Sequence, residues 1–168
     1  MVDLVLLQQL AIALLIGLVI GLEREIAQEN RQNVKFAGLR TFGIVGLMGG
    51  VCAYMAAQDY IIFAAALLGI TALTCVAYYK ATDIGKHLGF TTEMALLLTF
   101  LLGGLTYYDY TIAVILSIVV TVLLAFKDPL HEFTYRLPKE EFYDTLKFAL
   151  IALVILPILP NQAYGPLN

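Results

Sequence analysis

The stretch that decides the fold is Leu4 to Arg40, LVLLQQLAIALLIGLVIGLEREIAQENRQNVKFAGLR. A helix of about 20 mostly apolar residues spans a bilayer core, and Leu4 to Leu22 is such a run. Charge begins at the next residue. The polar segment Glu23 to Arg40 holds Arg24, Arg31, Lys35 and Arg40. A basic segment that follows an apolar run without a spacer is the mark of a membrane helix ending on the cytoplasmic side.

The same pattern repeats along the rest of the chain. Further apolar runs cover Thr41 to Ala57, Ile61 to Tyr79, Thr91 to Tyr107, Thr111 to Phe126 and Leu146 to Leu159. The polar segment around Asp59 has no basic residue. Lys80 to Glu93 holds Lys80 and Lys86, and the segment around Asp109 again has none. Lys127, Arg136, Lys139 and Lys147 follow, and the tail after Leu159 has none. All ten Lys and Arg residues thus fall in or beside alternate polar segments, which puts them on one side. The pattern predicts an all-α, polytopic transmembrane bundle of about six spans with both termini outside. It reads as one module over 1–168, with a five-span core 1–127, a short cytoplasmic loop and sixth span 128–160, and a tail 161–168. Pro138 is placed at the first turn of the sixth helix, with Glu140 and Glu141 favourable at its N-terminus.

Composition agrees. The chain is 61% hydrophobic and 14% charged, against about 25% charged for a soluble domain. Cys52 and Cys75 lie inside apolar runs and read as small hydrophobes rather than a disulfide framework. No basic tract suggests nucleic acid. The N-terminal Met1-Val2-Asp3 has no basic residue, so no cleavable signal peptide is expected. Asp59 and Asp109 are expected to N-cap the helices that follow them, leaving no room for an outer domain. His87 and His131 are single loop histidines. No Cys/His metal signature, phosphate-binding glycine loop or hydrolase elbow is present, so an enzyme is not expected.

Two stripes of small residues predict close helix contacts. Gly43, Gly46, Gly50, Ala53 and Ala57 share one face of the second run, in phase with Arg40. Ala13, Gly17 and Gly21 share one face of the first, continued by Arg24 and Gln28. Gly17 with Gly21, and Gly46 with Gly50, have the Gly-x-x-x-Gly spacing that lets membrane helices approach closely. The first two helices are expected to pack on each other or on a second subunit. Both stripes lead to charges at the hydrocarbon edge, where a charge must be paired or hydrated. Glu23, Arg24, Arg40, Thr41 and Glu93 form the candidate cluster. Glu23 with Arg40, or Arg24 with a carboxylate from another helix such as Glu93, are the pairs open to it. Asp128 and His131 lie on the same side, although Asp128-Pro129 fits a helix start better. Arg31, Lys35, Lys80, Lys86, Arg136 and Lys139 read as anchors of helix ends.

At this cluster the sequence becomes recognisable. Leu15-Ile16-Gly17-Leu18-Val19-Ile20-Gly21-Leu22-Glu23-Arg24-Glu25, then Ala37-Gly38-Leu39-Arg40-Thr41-Phe42, then Gly46-Leu47-Met48-Gly49-Gly50, resembles the MgtC/SapB family of bacterial inner-membrane proteins. Gly89 to Gly104 looks like the long members in which a second multi-pass module follows, and Pro160 to Asn168 looks like the junction to it. The resemblance implies an inner-membrane location and a link to magnesium homeostasis. Family members are associated with growth at low magnesium, acid resistance and survival inside host cells, and some are described as regulators of other membrane machines. The motif residues carry over to Glu23, Arg24, Arg40 and Thr41. The small cytoplasmic domain that follows the five-span core in virulence-type members is expected to be absent.

Three functions compete. The first is a non-enzymatic modulator or subunit of a transport system, acting through the charged cluster. Its partners would be the bilayer with a second copy in a dimer, or a second membrane module. The second is direct conduction of a divalent cation, with Mg2+ as the candidate and Glu23, Glu25 and Glu93 as carboxylate ligands. Thr71, Thr74, Thr99, Ser117 and Thr121 could line a path, and such residues also serve as interhelical glue. The third is the structural half of a larger assembly.

Overall fold

The computed structural model describes residues 3–30, 37–57, 59–83, 90–127 and 138–158. Helices account for nearly all of them: α1 (Leu4–Asn30), α2 (Leu39–Ala56), α3 (Tyr60–Asp83), α4 (Thr91–Tyr108), α5 (Tyr110–Ala125) and α6 (Lys139–Leu150). A π-helical turn over Ile151–Ile155 and a short α7 (Leu156–Ile158) follow α6 directly. The expectations for Arg31, Lys35, Lys86, His87, Asp128, His131 and Arg136 lie outside the described residues. So does the tail from Pro160. The chain divides into two compact units, Met1–Phe126 and Lys127–Asn168.

In the first unit the helices begin and end where chemistry requires. Asp109 Oδ1 accepts from the Thr111 and Ile112 amides at 2.9 and 3.0 Å. Asp59 Oδ1 accepts from Ile61 N at 2.9 Å, and Asp3 Oδ1 accepts from Val5 N at 3.1 Å. Each carboxylate takes up amide hydrogens that the first turn leaves unpaired. Asp109→Ala should lower the unfolding free energy in detergent by about 1 kcal/mol, and Asp109→Asn should restore most of it. α1 does not end with the apolar run at Leu22. Glu23 to Gln28 are good helix formers, so the helix runs on to Asn30. At roughly 1.5 Å per residue its 27 residues reach about 40 Å, which is about 10 Å more than a hydrocarbon core.

α2 is the centre of the unit, held by α1 on one side and α4 on the other. Phe42, Val45, Ile16, Ile20, Leu96 and Phe100 fill the space between them. Phe63 of α3 lays its ring against that of Phe100, with centroids 4.9 Å apart. Gln9 Nε2 donates to the Tyr107 carbonyl at 3.0 Å, and the rings of Tyr54 and Tyr107 meet edge-on. The start of α1 and the ends of α2 and α4 therefore share one end of the bundle. Arg24 Nη2 donates to the Leu124 carbonyl and Glu25 accepts from Leu39 N, which brings the end of α1, the start of α2 and the end of α5 to the other.

The exterior is apolar. Leu68, Leu73 and Val76 of α3, and Ile115, Ile118 and Leu123 of α5, are exposed. A surface of this kind has no place in water. Three helices are long and apolar enough to cross a membrane: Leu4–Gln28, Leu39–Ala56 and Tyr60–Lys80. α5 is apolar but has only 16 residues. α4 carries Glu93 and four threonines; Glu93, Thr99 and Thr106 lie on its buried face, while Met94, Leu98 and Leu101 are exposed.

In the second unit, Glu140 and Glu141 stand in the first turn of α6, and Lys147 stands in its last turn. Lys147 Nζ meets Asp144 Oδ1 at 2.9 Å, an exposed pair one turn apart. The polar first half gives way to an apolar second half. The π turn lies just before Pro157, whose ring excludes the carbonyl four residues earlier and which has no amide hydrogen to give. A widened turn relieves that conflict.

Candidate functional site: a charged end on a glycine-packed crossing

The crossing of α1, α2 and α4 is built on backbone contact. A Cβ on Gly17 would strike the Phe42 carbonyl, and one on Gly46 would come within 2.5 Å of the Ala13 oxygen. Where α2 meets α4, a Cβ on Gly49 would strike the Phe100 carbonyl, and one on Gly103 would strike the Gly46 carbonyl. The Gly43, Gly46 and Gly50 face is therefore occupied by α1 of the same chain. Gly43 itself meets only the Leu18 and Leu14 side chains. Gly49, Gly103 and Gly104 were not among the expected contacts. The doublets Gly49-Gly50 and Gly103-Gly104 were the signal, because a second glycine beside the first presents a second face.

The two motif elements meet at the end of this crossing. Glu25 Oε2 accepts from the Leu39 amide at 3.0 Å. A carboxylate from α1 thus sits on the positive N-terminus of α2. Gly38 has extended backbone, so conformation alone does not require glycine. Proximity does: a Cβ there would lie 2.9 Å from the same Glu25 oxygen and would displace it from the helix. Gln28 Nε2 donates to the Ala37 carbonyl at 3.3 Å and ties down the same corner. Gly21 lets Leu39 and Phe42 close against α1.

Arg24 is 5% exposed. Its Nε and Nη2 donate to the two carboxylate oxygens of Glu23, with Nη2 at 2.6 Å from Oε1. Nη2 also reaches the Leu124 carbonyl at 3.2 Å. The two-pronged pair satisfies a buried guanidinium and fastens α1 to the last turn of α5. Its carboxylate comes from the adjacent residue of α1, not from another helix. Arg40 and Thr41 are exposed and line a polar cleft of about 440 Å³ with Glu25, Gly38 and Leu39. Glu93 stands apart, 2% exposed in the first turn of α4. Its two oxygens have no hydrogen-bond partner among the described residues.

The mid-span hydroxyls are engaged within their own helices. Thr71 donates to the Leu67 carbonyl, Thr74 to Ile70, Thr99 to Ala95, Ser117 to Val114 and Thr121 to Ser117. No group of three or more His, Cys, Asp or Glu residues that could hold a metal ion occurs among the described residues.

In the first unit, an apolar exterior over a tightly crossed helical core, with the arginines Arg24 and Arg40 at one end, defines a helical membrane protein. Residues 10–133 match the family model of the MgtC family. The chain belongs to that family, a group of membrane proteins linked to magnesium homeostasis. Comparison with curated proteins and with solved structures returned no match.

Proposed function

We propose that this chain is a non-enzymatic inner-membrane module that serves magnesium homeostasis by acting on a transport system, not by conducting the ion. The observation that supports this reading is the crossing of α1, α2 and α4. Backbones in contact at Gly17, Gly46, Gly49 and Gly103 leave no polar passage between these three helices. A cation crossing hydrocarbon needs such a lining at mid-depth. Of the candidate ligands, Glu25 accepts from the α2 amide and Glu23 faces Arg24. Arg40 and Thr41 remain as the outward-facing polar groups of the motif. On this reading they touch the regulated partner, which is a second copy or a second membrane module.

The proposed topology has α1 to α5 crossing in alternation, a sixth crossing within the second unit, and both termini periplasmic. The bundle end that carries Arg24 and Arg40 then faces the cytoplasm. In a Cys75→Ser background, Tyr60→Cys should react with an impermeant maleimide in intact cells, and Lys80→Cys only after permeabilisation. The reverse order would overturn the topology.

Function is tested with the purified chain in proteoliposomes loaded with a magnesium indicator. No magnesium flux is expected, and flux above empty liposomes would establish conduction instead. In cells that depend on this chain at low magnesium, Arg40→Ala should abolish growth while changing stability by less than about 0.5 kcal/mol, as exposed substitutions do. Normal growth of the Arg40→Ala strain would remove the cleft from the mechanism.

A further inference from the structure

We draw no further inference here: the strongest candidate, the outward face of α3 on which Ala65, Gly69 and Ala72 are exposed and a Cβ on Gly69 would meet nothing within 4 Å, is an unpartnered stripe of small residues, and nothing in the structure shows what covers it.

Discussion

Gly103→Ala is expected to destabilise the first unit by about 1–3 kcal/mol, the range for forcing extra carbon into a filled core. The new methyl group would meet the Gly46 carbonyl and Cα, which are backbone atoms of a neighbouring helix. A flexible side-chain tip can swing aside, but a helix backbone moves only with its whole helix. Gly49→Ala meets the Phe100 carbonyl and should cost a similar amount. The double variant is expected to lose the folded unit, since both changes push α2 and α4 apart at one crossing. Two controls fix the interpretation. Gly43→Ala meets only the ends of Leu18 and Leu14 and should be mild. Gly69→Ala has nothing within 4 Å and should be neutral, or stabilising by up to about 1 kcal/mol through helix propensity. Thermal unfolding of the four single variants in one detergent measures the order. If Gly69→Ala and Gly103→Ala melt together, backbone contact is not what holds α2 to α4.

Arg24→Ala should be more damaging still, at about 3–5 kcal/mol, because it breaks a buried ion pair by removing one partner. Glu23 would keep its charge at a side chain that is only 12% exposed, and the Leu124 carbonyl would lose its donor. Lysine would not rescue it, since a point charge cannot reproduce the two-pronged contact with Glu23 or hold Leu124 at the same time. Replacing both members, as Glu23→Gln with Arg24→Met, should recover part of the loss by removing the unpaired charge. The pattern to look for is little folded protein for Arg24→Ala, set against normal yield and lost growth support for Arg40→Ala. If both arginines behave as exposed residues, the buried pair is not structural.

These two arginines show how far a sequence can be read. Both were legible as members of one motif, because charge placed directly after an apolar run is rare and conspicuous. Their different duties were not legible. Helical phase puts Arg24 and Gly21 on one face, but whether Glu23 or a distant carboxylate meets the guanidinium depends on rotamers and on where α5 ends. The helix order, the Asp59 and Asp109 caps and the small-residue faces follow from local rules of spacing and capping. The role of Glu25 was hidden for another reason. Its partner is a backbone amide 14 residues away, and amides leave no mark in a sequence. The isolation of Glu93 depends on how α4 packs among its neighbours, which no periodicity encodes. The 16-residue length of α5 and the polar half of α6 are where hydropathy alone gives out.

Asp3, Asp59 and Asp109 cap the starts of α1, α3 and α5, and all three stand at the same end of the bundle. With that end outward, as proposed, each must be carried across the bilayer during biogenesis as the only charge in its turn. In a cell whose interior is negative, moving one such anion outward releases about 2.3 kcal/mol per 100 mV. The residues that start the helices would then also let the resting voltage pull each hairpin into place, and collapsing that voltage would slow insertion.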